Sequence, residues 1–118
     1  MVYQPNQIPD EASSALAAAF AHSYSQTADE WVDRCRKDLA QLWRRGDLWA
    51  ITEVLISDGM RVLRCIAMAG PYDPALKDEI EQWGRSVGCR KAIIEGRKGW
   101  SRKHRDYSVK AVTLEKEL

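Results

Sequence analysis

One contiguous stretch constrains the fold more than any other: LWAITEVLISDGMRVLRCIAMAGPYDPALKDEIEQWGRSVGCRKAIIE, residues 48–95. Two runs rich in β-branched and aromatic residues, LWAITEVLI and MRVLRCIAMA, flank Ser57-Asp58-Gly59. Such side chains suit a pleated, half-buried surface, and Asp-Gly between two such runs is a hairpin turn signal. Residues 48–69 therefore read as an antiparallel hairpin, whose first strand carries Ile51 and Leu55 on one face with Glu53 between them. Gly70-Pro71 breaks the second strand. Asp73 then reads as a helix cap, and Pro74 follows at the first helical position, where its missing N–H costs nothing. Leu76, Ile80, Trp83 and Val87 share one helical face, Gly88 ends the helix, and KAIIE (91–95) is a short strand. A strand–helix–strand unit over 60–95 requires a crossover, right-handed in almost every known case, and so a parallel pair within a mixed sheet.

The residues before this unit read as helical. Asp10 caps a short helix whose Ala12, Ala15, Leu16, Ala19 and Phe20 recur at three and four. Thr27-Ala28-Asp29-Glu30 fits a capping box. Trp31, Cys35, Leu39 and Trp43 then fall four apart, which predicts a second helix running to Arg44 and Arg45, with Gly46 as its left-handed cap. Residues 1–9 (MVYQPNQIP), with two prolines, read as an extended arm able to reach a neighbouring subunit. The expected organisation is that arm followed by one domain over 10–118. The fold class is α+β: a mixed sheet flanked by helices and preceded by two N-terminal helices.

Composition narrows the function classes. A chain of 118 residues supports one hydrophobic core, and 45% apolar with 30% charged residues is the balance of an ordinary globular protein. The net charge of +1 gives no global field for nucleic acid, so any electrostatic role must be local. Cys35, Cys65 and Cys89 form no metal-ligand spacing, and their odd number argues against a disulfide scaffold. They read as buried thiols in a reducing cytosol. The N-terminus lacks a signal-peptide pattern, and no stretch approaches the roughly 20 apolar residues of a membrane span.

The closing stretch is locally basic. Arg90, Lys91, Arg97, Lys98, Arg102, Lys103 and Arg105 crowd around Trp100 and His104, opposite an acidic run over 73–81. It reads as a solvated rim balancing that run, as a phosphate-contacting surface with Trp100 for stacking, or as a protein contact anchored by Trp and Arg. Catalytic patterns are thin: His22 and His104 have no evident partner carboxylate or nucleophile.

The hairpin 48–69, the helix 74–87, KAIIEG and GWSRKHRDYSVKAVTLEKEL, taken in this order, resemble the core of the GNAT acyltransferase fold, from about Ala28 onward. The trimmed form also resembles small GNAT-like proteins encoded among the head and tail genes of tailed bacteriophages. The first resemblance implies acetyl-CoA as cofactor, Glu53 as the base for an amine and Tyr107 as the acid for the departing thiolate. It also implies a Q/R-x-x-G-x-G/A loop at the start of the helix after the long strand, where exposed N–H groups take the pyrophosphate. The matching stretch here is AMAGPYDPALKDEI, with Gly70 as its only glycine, prolines at 71 and 74, and Asp73 at the cap. The second resemblance implies a non-catalytic virion component, made in the host cytoplasm and working by packing at the head–tail connection. It would take no cofactor or metal, and would contact portal or tail proteins, or itself in a ring, through Arg97, Lys98, Trp100, Arg102 and Arg105. The sequence reading favours the virion component, with the acyl-CoA-dependent N-acetyltransferase as its rival and nucleic-acid binding third.

Overall fold

The computed structural model describes residues 1–21, 26–94 and 116. Helix α1 (Ala12–Leu16) continues as a 3-10 turn over Ala17–Phe20, and α2 spans Ala28–Arg36. Strands β1 (Gln41–Arg45), β2 (Leu48–Ser57) and β3 (Met60–Ala69) follow, then α3 (Pro74–Ser86) and β4 (Cys89–Ile94). The sheet order is β1-β2-β3-β4; the first two pairings are antiparallel and β3–β4 is parallel. The hairpin, the crossover helix and the strand after it are those expected from the sequence.

The β2–β3 turn shows why Asp58-Gly59 is a strong signal. Both residues have positive φ, 52° and 75°, as a two-residue type I′ turn requires, and this twist matches that of the flanking strands.

The expected second helix is wrong beyond Arg36. Asp38 adopts φ 60°, the Leu39 N–H donates to the Arg34 carbonyl at 2.9 Å, and the Asp38 N–H donates to that of Cys35 at 3.2 Å. This is a Schellman cap with aspartate in the left-handed position that glycine normally takes, which is why the stop was not legible. Leu39 is left 64% exposed. Gln41–Arg45 then turns back through Gly46-Asp47 as a strand paired with Leu48–Thr52. The spacing of four between Leu39 and Trp43 was coincidental: alternation along β1 sends Leu42 to one face of the sheet and Trp43 to the other.

Two cores result, one on each face of the sheet. Trp31, Val32 and Cys35 of α2, with Ala12 and Leu16 of α1, pack on Leu42, Trp49, Ile51 and Ala67. On the opposite face Leu76 and Ile80 of α3 cover Trp43, Leu48, Ala50 and Leu63, and Trp83 meets Trp43 edge to face at 5.5 Å. Thr52 is fully buried; it accepts from Trp43 Nε1 at 2.9 Å and donates to Gln41 Oε1 at 2.9 Å. Both partners of that chain are thereby satisfied, as buried polar groups must be.

The arm expected over 1–9 lies on the chain's own sheet. Val2 bridges Trp43, the Tyr3 N–H donates to the Leu42 carbonyl at 2.9 Å, and the Tyr3 ring stacks on Trp49 at 6.0 Å. The expected last strand over 109–118 and the basic stretch from Gly96 lie outside the described residues, apart from the exposed Lys116.

Candidate functional site

Among the described residues, the sheet's one parallel junction carries a small cavity. Here β3 and β4 run parallel from Arg61↔Cys89 to Cys65↔Ile94. On the α3 side, Leu63, Cys65, Met68, Ile80, Ala92 and Ile94 line a small cavity of about 20 Å³. Lys77 and Glu81, four apart on α3, also line it and pair at 3.8 Å, with side chains only 14% and 15% exposed. Arg85 reaches Glu81 from the next turn at 3.9 Å.

A bulge in β3 shapes this end of the strand. Ile51 faces Ala67 and Thr52 faces Cys65, so Ile66 is an extra residue with no partner on β2. The insertion resets which side chains point toward α3: Leu63 and Cys65 before it, Met68 after it. Burial pushes the Cys65 thiol up to about 12, although its contact with the Ala67 carbonyl at 3.7 Å acts in the opposite direction. This thiol is not a nucleophile at neutral pH.

At the N-terminus of α3, the donors that would face an anion are already used. Pro74 has no N–H. The Ala75 N–H donates to Asp73 Oδ1 at 2.9 Å, and the Leu76 N–H donates to the Asp73 carbonyl at 3.1 Å. The other carboxylate oxygen of Asp73 accepts from Arg45 Nε at 3.0 Å. The Ala75 N–H, then Arg45, hold the Asp73 carboxyl below the usual carboxylate range. Gly70 is closed in as well: with φ 113°, a Cβ there would lie 2.1 Å from the Asp47 carbonyl oxygen. Its lack of a side chain serves a close approach to the β1–β2 turn and opens nothing to a ligand. These residues do not fit a pyrophosphate.

Glu53 stands directly opposite Arg64 on β3, and the two pair at 3.1 Å with side chains 21% and 27% exposed. Alternation puts Glu53 on the sheet face away from the groove, one residue from Thr52, whose cross-strand partner Cys65 lines it. The structure thus brings Glu53 to the level of the groove but not into it. Tyr107, Arg97, Lys98, Trp100, Arg102 and Arg105 lie outside the described residues, as do His22 and His104. Sequence reasoning missed Arg45, Lys77 and Glu81. Only the i, i+4 spacing of the last two was a signal; the meeting of Arg45 with Asp73 depends on β1 being a strand.

Among the described residues, no group of three or more His, Cys, Asp or Glu could hold a metal, and no helix is long and apolar enough to cross a membrane. No family model matches the sequence, and no curated protein matches it. Solved structures do match. A ribosomal-protein-alanine N-acetyltransferase from Brucella melitensis biovar Abortus 2308 superposes with a TM-score of 0.58 at 14% identity, over 100% of this chain and 96% of that one. An acetyltransferase from Trypanosoma brucei gives 0.57 at 14% identity, with the same coverage. The fold is GNAT-like. The expectation of a non-catalytic bacteriophage virion component is overturned by these two structures, both acetyltransferases and both superposing on the whole chain.

Proposed function

We propose that this chain is an N-acyltransferase that moves an acyl group from a thioester to an amine. Full-length superposition on two acetyltransferases carries this reading.

Attack of an amine on a thioester carbonyl leaves one proton to be removed from the amine and one to be supplied to the departing thiolate. Glu53, on the sheet face opposite α3, is not placed to take the first, which passes to solvent. Arg64 at 3.1 Å holds the Glu53 carboxylate on that face. Tyr107 supplies the second, a role resting on the family resemblance of its position.

The test is acyl transfer to short peptides followed by mass spectrometry, starting with an N-terminal alanine because one matched structure is a ribosomal-protein-alanine N-acetyltransferase. Acetyl-CoA and S-acetylpantetheine serve as separate donors. We expect Glu53→Gln to leave kcat within about threefold of the parent, because its carboxylate lies across the sheet from α3, whereas a positioned base would contribute about 10²–10⁴-fold. A loss of about 100-fold or more in that variant would restore Glu53 as the base. Absence of acylated peptide with either donor, over a panel of peptide and lysine amines, would sink the enzymatic reading itself.

A further inference from the structure

We infer that the acyl donor is a pantetheine thioester recognised without a nucleotide pyrophosphate, so that this protein does not distinguish coenzyme A from its pantetheine arm. The inference rests on the acyltransferase reading and deepens it by naming the donor class.

Three observations at the β3–α3 connection converge. The first is an absence of free donors: Pro74 has none, and the N–H groups of Ala75 and Leu76 are bound to Asp73. A helix N-terminus attracts phosphate through those groups and through its dipole. Here an in-chain carboxylate already occupies the place an anion would take.

The second is charge. An incoming pyrophosphate would have to displace the Asp73 carboxylate or sit beside it, and like charges at that range repel. The cation next to it, Arg45, is engaged with Asp73 at 3.0 Å. Lys77, one turn along, lies 3.8 Å from Glu81.

The third is shape. Gly70, where a cradle would need open backbone, is pressed against the Asp47 carbonyl, and the connection cannot move inward to make room.

The groove beyond this connection has the opposite character. Leu63, Met68, Ile80, Ala92 and Ile94 are apolar, but the cavity of about 20 Å³ that they line has room for about one water and holds no part of the arm as it stands. The half of coenzyme A that this connection does not repel is the arm, which brings no phosphate to Asp73. The half that carries the phosphates meets a carboxylate. The same arm occurs on small diffusible thioesters and on phosphopantetheine attached to a carrier protein, and the shared chemistry is the pantetheinyl thioester.

The experiment measures calorimetric binding of coenzyme A, pantetheine and a phosphopantetheine-bearing carrier protein to the full chain. We expect coenzyme A and pantetheine to bind within about threefold of each other, because a pyrophosphate that meets the Asp73 carboxylate instead of free N–H donors at the start of α3 gains no affinity there. Tighter binding of the carrier protein than of free pantetheine would assign the donor to the protein-borne source; equal or weaker binding would assign it to the diffusible one. Asp73→Ser keeps a capping oxygen while removing the charge. It is expected to tighten coenzyme A by about tenfold or more and leave pantetheine unchanged. Coenzyme A binding the unaltered chain about 100-fold tighter than pantetheine would overturn the inference while leaving the acyltransferase reading standing. Binding of none of the three up to millimolar concentration would overturn both. The ratio in the unaltered protein decides the question, so the outcome does not depend on how the variant folds.

Discussion

Replacing Gly70 with alanine should cost much of the protein's stability with no ligand present. The residue sits at φ 113°, a conformation that L side chains rarely adopt, which alone costs about 1–3 kcal/mol. The added Cβ would lie 2.1 Å from the Asp47 carbonyl oxygen, 2.9 Å from its carbonyl carbon and 3.0 Å from the Leu48 Cα. All three are backbone atoms, so no rotamer change relieves the contact. Relief requires moving the start of β2, where Leu48 and Trp49 are 1% and 5% exposed and anchor opposite faces of the sheet. Strain and lost packing together should reach about 3–5 kcal/mol, a large part of the roughly 5–15 kcal/mol that holds such a domain together. The melting temperature should fall by roughly 10–20 °C for a chain of this size. Thermal melts followed by circular dichroism, in buffer alone, measure it directly. A variant melting within about 2 °C of the parent would refute the close-packing account and return Gly70 to a ligand-binding role.

Two further outcomes follow from the core. Thr52→Val keeps the shape of the side chain but leaves the Trp43 indole N–H without its acceptor, at a cost of about 1–3 kcal/mol, whereas Thr52→Ser, retaining the oxygen, should lose less. Urea titration should show a lower midpoint with an unchanged slope for valine, and equal midpoints for the two variants would contradict the buried hydrogen bond. In a thiol-reagent assay on the native protein at pH 8, burial holds Cys35 and Cys65 at about 12, so only the half-buried Cys89 should react before unfolding. Three thiols reacting at one rate would show that the two cores are not closed.

What the sequence determined by itself were the features written in neighbouring residues. Asp58-Gly59 made the β2–β3 turn because only certain residues tolerate two successive positive φ angles. Asp73-Pro74 started α3 because a carboxylate caps free N–H groups and proline needs none. The spacing of Leu76, Ile80 and Trp83 set the face that α3 buries, and the order strand, helix, strand required a parallel junction. What only the tertiary structure decided were the features that depend on residues distant along the chain. Asp38 ends α2 in a conformation usual for glycine, and the five residues of β1 are a strand because Leu48–Thr52 is there to pair with them. Their alternation places Trp43 against Trp83 and Arg45 against Asp73, neither of which is visible while residues 41–45 are read as helix. The role of Gly70 was hidden for the same reason: the atom that demands a glycine belongs to Asp47, across a turn that helix would have removed. Local conformational preference is encoded residue by residue, but a strand's partner, and the contacts its pairing creates, exist only once the sheet has formed.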